Sequence, residues 1–184
     1  MLAIQIAKQV LGASYVATTA SPGIATDLCK KAGADKIVNY RSDKFEQALA
    51  GEDFDMCFDT TNEGSKMAPI LKEGGAIVSV SGNPSIEAVT EGLNGKDPGL
   101  LIRLYMWATR NTGAERAALS RKGSWEYIFM KPSGKELNEI ANVVDEGKMF
   151  VHLDTEAKGL ENFQVAVDKM YSGRAKGKVV IKVV

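Results

Sequence analysis

The sequence predicts an α/β protein built on a doubly wound parallel sheet. Three observations carry that expectation. Short β-branched runs alternate with amphipathic stretches as far as Ser85, the pattern of a parallel sheet covered on both faces. The stretch Leu28 to Arg41 joins a helix end, with Gly33 placed for a left-handed cap, to the buried run Lys36-Ile37-Val38 and a polar exit at Asn39-Tyr40-Arg41. With 184 residues, 45% of them hydrophobic, the chain can bury an ordinary core without disulfides or a structural metal.

The elements follow in order. Leu2, Ile4, Ile6, Ala7, Val10 and Leu11 give an opening helix a wide apolar face, and Gly12 ends it. Tyr15 to Thr19 is a strand. Ser21 is an N-cap residue and Pro22 suits a first helical position, so a helix is expected over Pro22 to Ala32. A strand at Lys36 to Asn39, a short helix from Lys44 to Ala50, a strand from Phe54 to Asp59, a helix from about Gly64 to Leu71 and a strand from Ala76 to Val80 complete the regular part. From Ile86 to Asp97 the pattern fades into a loop. Pro98 opens an apolar helix over Leu100 to Thr109, and Arg110 to Lys122 stays helical in part. Trp125 to Met130 is an aromatic strand, Lys135 to Glu146 a helix capped by Gly147, Val151 to Leu153 a brief strand, Leu160 to Tyr171 an amphipathic helix, and Lys178 to Val184 a last strand.

Composition removes several classes of function. Lys plus Arg equals Asp plus Glu at 23 each, so no long-range field draws the chain to nucleic acid or to an anionic membrane, although a local basic cluster can still hold a phosphate. Cys29 and Cys57 lie in apolar runs without CxxC spacing, and His152 is the sole histidine, so a Cys/His zinc site cannot be assembled and no metal ligands are assigned. The opening apolar stretch is short, carries Gln5, Lys8 and Gln9, and reads as a core-facing helix, so no membrane span is expected. Asp55 and Asp59 stand too far apart along one strand to share a proton, and no Ser/His/Asp arrangement is supported; no catalytic residue is named.

Lys30-Lys31-Ala32-Gly33-Ala34-Asp35, Asn39-Tyr40-Arg41 and Phe54 to Asp59, in that order, resemble the cofactor-binding half of the medium-chain dehydrogenase/reductase superfamily. Phe129-Met130-Lys131-Pro132-Ser133-Gly134, the helix ending Asp145-Glu146-Gly147-Lys148, and Gly173-Arg174-Ala175-Lys176-Gly177-Lys178-Val179-Val180 are similar to its zinc-free quinone oxidoreductase branch. The resemblance implies a Rossmann-like nucleotide-binding domain over residues 1–184, without the family's first strand and glycine-rich turn and without its amino-terminal substrate domain. The missing strand would lie between those at Tyr15 and Phe54. The chain is therefore expected to be part of a longer protein, or to close its sheet by sharing strands in a homodimer.

Within that frame, Ser21, Tyr40 and Arg41 stand where an adenosine ribose or its 2′-phosphate is met. No Asp or Glu ends the strand at Thr18-Thr19-Ala20, so NADPH is expected rather than NADH. One departure is Ile24, where family members often carry a lysine three residues after the serine. Thr60, Ser81, Gly82 and Asn83 resemble the loops bordering ribose and nicotinamide, and Phe129 and Lys131 the segment beside the nicotinamide ring. The implied activity is reduction of a small-molecule quinone or enone by hydride transfer, weak or absent in this chain alone. A non-catalytic, self-associating scaffold is the alternative. The expected compartment is the cytoplasm, or the mitochondrion if upstream sequence is missing.

Overall fold

The computed structural model describes residues 1–110 and 112–183; Asn111 and Val184, which the expected spans include, lie outside the described residues. The chain is α/β, and its strand pairs are parallel, as expected. It divides into two compact units, Met1–Ser42 with Gly134–Val184, and Asp43–Ser133.

In the first unit, α1 (Leu2–Gln5) runs into a turn of π-helix at Ile6–Val10, so the opening helix is present with its second half widened. Gln5 is buried there, and both ends of its amide are satisfied. Its nitrogen donates to the Phe150 carbonyl at 3.1 Å and its oxygen accepts the Phe150 N–H at 2.8 Å, which ties the start of the chain to a segment 145 residues away. Strands β1 (Ala17–Ala20) and β2 (Lys36–Asn39) pair in parallel, with Ala20 opposite Asn39.

Helix α2 (Ile24–Lys31) between them ends as expected. The Gly33 and Ala34 N–H groups, each at 3.0 Å, donate to the Lys30 and Cys29 carbonyls in a left-handed cap. Its start differs from expectation. Ser21 does not cap it; Gly23, at φ 85 and ψ −141, is the N-cap, with no side-chain cap hydrogen bond, and the Ser21 hydroxyl is left for another role. The unit is completed by α7 (Gly134–Asp145), β6 (Leu153–Lys158), α8 (Phe163–Tyr171) and β7 (Lys178–Lys182), with β6 and β7 parallel and Ala157 opposite Ile181. The strand expected at Val151–Leu153 begins where that expectation ends. Only Ala157 in β6 is buried, and Asp154, Glu156 and Lys158 hide the strand from a hydrophobic pattern.

In the second unit, α3 (Phe45–Ala48) is short, and β3 (Phe54–Asp59), β4 (Leu71–Ser79) and β5 (Ser124–Tyr127) form one parallel sheet in that order. The single helix expected near Gly64–Leu71 is two 3-10 turns, Gly64–Lys66 and Ala68–Ile70; Pro69 has no N–H to continue an α-helix through this stretch. The stretch expected to be a loop after Ser85 is helix α4 (Ile86–Gly92). The Ser85 hydroxyl accepts the Ala88 N–H at 3.1 Å, an N-cap that the sequence carried and the breakers obscured. Helix α5 (Leu100–Thr109) is as expected, and α6 (Thr112–Ser120) buries Ala114, Ala117 and Ala118 and packs on β4 and β5. Strand β5 stops at Tyr127, so Ile128 to Met130 lie beyond it.

Strands β1 and β3, which the resemblance places on either side of the missing strand, each have one partner, β2 and β4 respectively; each is an edge of its sheet among the described residues.

The carboxyl end of β3 is fixed by one buried carboxylate. Asp59 is fully buried; one oxygen accepts the Thr61 and Glu63 N–H groups at 3.1 and 3.0 Å, the other the Gly64 N–H at 2.8 Å and the Ser79 hydroxyl at 3.3 Å. Trp125 Nε1 in turn donates to the Ser79 oxygen at 3.0 Å, so the network spans β3, β4 and β5. Gly64 leaves room for it. A Cβ there would lie 2.9 Å from Ala114 Cβ and 3.1 Å from Asp59 Oδ2. Replacing Asp59 by Ala strands buried donors, so the D59A variant is expected to lose about 3 kcal/mol, read from its urea midpoint, against a few tenths for an exposed control such as D55A.

Candidate functional site

The register of β1 with β2 decides which side chains meet in the first unit. Because Ala20 sits opposite Asn39, the next residues, Ser21 and Tyr40, leave the two strands side by side at their carboxyl ends. Ser21 is buried and Tyr40 half exposed. The Arg41 guanidinium and the Ser21 hydroxyl both hydrogen bond to the Tyr40 phenol, and they hold its pKa below the ordinary tyrosine value; the charges of Arg41 and Lys176 pull the same way. Arg41 is steadied from behind, its N–H donating to Asn39 Oδ1 at 3.1 Å. A buried hydroxyl, a phenol and two cations therefore act at one rim, and no carboxylate is among the groups that act on the phenol. Such a cluster stabilises a bound anion.

Lys176, part of the Gly173 to Val180 stretch that carries the resemblance, is the second cation acting on this phenol. Asp154 places it. This carboxylate accepts the Lys176 N–H at 2.7 Å and pairs with the Lys169 ammonium at 2.7 Å, while the Thr155 hydroxyl donates to it at 2.8 Å. These contacts, Lys169 first, lower the Asp154 pKa to about 2. The signal available in the sequence was an acid early in one strand and a Gly-Arg-Ala-Lys-Gly turn just before the next, which only strand pairing brings together.

In the second unit, Thr60 follows β3 and Ser81, Gly82 and Asn83 follow β4, on strands whose ends are level because Asp59 is opposite Ser79. At this rim Thr60 is exposed and Ser81 half-buried. Gly82, at φ 86, lies against the Asn62 side chain, which a Cβ would strike. Asn83 is turned away, its amide donating to the Thr109 carbonyl at 2.7 Å, where it closes the end of α5. Phe129 packs its ring edge on Gly92, 6.4 Å from the Tyr127 ring centroid, and Lys131 pairs with Glu91. Lys131, Glu91, Glu87, Arg103 and Thr90 line an open cleft of about 670 Å³. Thr60 and Ser81 are thus on adjacent strand ends, whereas Asn83 and Lys131 are engaged by α5 and α4.

A family model described as zinc-binding dehydrogenase matches residues 32–181. The chain belongs to the zinc-binding dehydrogenase family. Within the medium-chain dehydrogenase/reductase superfamily, its resemblance is to the carboxyl-terminal, Rossmann-like half. Among relatives, 2-methylene-furan-3-one reductase of Solanum lycopersicum is 31% identical over 183 residues, covering 98% of this chain and 36% of that protein. NAD(P)H oxidoreductase RTN4IP1, mitochondrial, of Danio rerio is 29% identical, covering 92% of this chain and 43% of that one. The solved quinone oxidoreductase from Coxiella burnetii superposes with a TM-score of 0.69 at 25% identity, over 100% of this chain and 49% of that one. This member of the family thus spans half or less of the length of these relatives.

His152 is the sole histidine. Burial raises the Cys29 pKa and pushes Cys57 up to about 11, and among the described residues no three His, Cys, Asp or Glu side chains are grouped to share an ion. Asp154 also makes the fold sensitive to acid. Its folded pKa lies below the ordinary value of 3.8, so it contributes stability that is present above about pH 4 and lost as pH falls toward about 2. Urea midpoints measured across that range should show this acid-side loss in the parent chain and a smaller loss in D154N.

Proposed function

We propose that this chain is the nucleotide-binding part of an NADPH-dependent oxidoreductase that reduces a quinone or enone, with residues 1–184 forming the nucleotide-binding domain. The observation that carries the reading is the convergence of Ser21 and Arg41 on Tyr40 at the β1–β2 rim. A 2′-phosphate fits those groups: the guanidinium offers paired donors, the phenol and hydroxyl offer one each, and Lys176 adds charge. The ribose 2′-hydroxyl of NADH lacks the charge that the cations answer, and no acid ends β1 to accept its proton.

Relatives support the chemistry by their names, among them the tomato reductase and an NADPH-dependent alkenal/one oxidoreductase of Arabidopsis thaliana, 37% identical over 81 residues. When bound, the nicotinamide supplies the hydride. The chain's own part is to bind and orient. In the second unit Thr60 and Ser81 offer hydroxyls, the turn at Gly82 and Asn83 shapes the rim, and Phe129 with Lys131 gives an apolar wall beside a cation; these carry the ribose and nicotinamide roles in the proposal. Activity of the 184 residues alone is weak or absent in this reading, and the chain forms a homodimer, for which the open edges of its sheets provide pairing sites.

Titration of the chain with NADPH, followed by nucleotide fluorescence with NADH as control, tests it. Saturable binding that prefers the phosphorylated form is expected, and Arg41→Gln should weaken NADPH by about tenfold while leaving NADH nearly unchanged. Absence of saturable binding up to millimolar NADPH would sink the reading.

A further inference from the structure

Helix α5 (Leu100–Thr109) has the wrong side out. A surface helix normally turns its apolar stripe inward and its charges to solvent. Here Met106 alone is buried, at 7% exposure, while Leu101 is 82% exposed, Leu100 72%, Trp107 69%, Tyr105 66% and Leu104 53%. At about 100° per residue, Trp107, Leu100, Leu104, Ala108, Leu101 and Tyr105 fill an outward arc of about 160° opposite Met106, and none of them is charged. The helix has no acidic residue.

Arg103 inside the helix and Arg110 just after it, seven residues apart, lie along the same margin of that arc, next to Trp107. Their acidic partners, Asp97 at 3.6 Å and Glu115 at 3.8 Å, lie outside the helix and beyond close hydrogen-bonding range. A phosphate oxygen can therefore take either acid's place.

We propose that α5 is a docking helix for an anionic lipid surface, lying flat with Leu100, Leu101, Leu104 and Trp107 in the acyl boundary and Arg103 and Arg110 at the phosphates. The chemistry selects this occupant. An apolar arc with Trp and Tyr, bounded by cations that can extend their alkyl stems along it, matches the layering of a bilayer interface. No described helix is long and apolar enough to cross a membrane, so the attachment is peripheral. The chain's net charge is zero, so the attraction acts at contact range and not by long-range steering. This proposal does not rest on the nucleotide reading, and such an attachment would bring the chain to where apolar substrates dissolve.

The test is co-sedimentation of the 184-residue chain with vesicles of phosphatidylcholine containing one quarter phosphatidylserine, and with phosphatidylcholine alone. Preference for the anionic vesicles and a blue shift of tryptophan emission are expected. Leu104→Glu puts a charge in the middle of the arc without removing a core contact and should weaken partition by about tenfold or more. Arg103→Gln with Arg110→Gln should remove the anionic preference. Leu137→Glu, at an exposed apolar position on α7 (66% exposed), should leave binding unchanged. The proposal is overturned if L104E sediments like the parent, if L137E is as damaging, or if sedimentation velocity without vesicles shows a dimer that L104E abolishes.

Discussion

Parallel pairing in level register is the constraint on which both units rest. In a parallel pair all strands end on the same side, so whatever residue follows the last ladder position is delivered to one rim. Ala20 opposite Asn39 sets Ser21 beside Tyr40, and Asp59 opposite Ser79 opposite Tyr127 sets three further loops level with one another. Residues 19 to 48 apart in the chain become neighbours in this way. The polar chemistry of this protein is gathered at such rims because the strands themselves are occupied with the ladder and the core.

In both units polar groups removed from solvent have hydrogen-bond partners. Asp59 in the second unit, fully buried, would be costly if it were not taking four hydrogen bonds from three backbone donors and Ser79. In the first unit Gln5 clasps Phe150 through both ends of its amide, and Asp154 collects Lys169, Thr155 and the Lys176 N–H. Groups of this kind contribute less to net stability than they do to uniqueness, since any alternative packing leaves them unsatisfied. They also explain why Ser21 is available. With Gly23 as the N-cap of α2, the serine hydroxyl is released from the helix end and turned to the phenol of Tyr40.

Membership of the zinc-binding dehydrogenase family rests on residues 32–181, and this chain spans half or less of the relatives compared. Its own physical features include a rim at β1–β2 on which two cations act and an exposed apolar helix with two arginines along one margin.

The sequence by itself determined the alternation of strands and helices, the exact span of β3, the left-handed cap at Gly33 and the chemistry available at Ser21, Tyr40 and Arg41, because periodicity, β-branching and glycine act within a few residues. It misread the opening of α2, the helix after Ser85 and the place of β6, where a local signal was outweighed by a neighbour: Gly23 over Ser21, a capping serine hidden among loop formers, and a strand whose pairing with β7 matters more than its own polarity. Only the tertiary structure decided that Lys176 acts on Tyr40, that Asn83 and Lys131 are engaged by α5 and α4, and that α5 turns its apolar side outward. Those facts depend on contacts between segments far apart in the chain, and on which face of a helix finds a partner, and neither is encoded in local spacing.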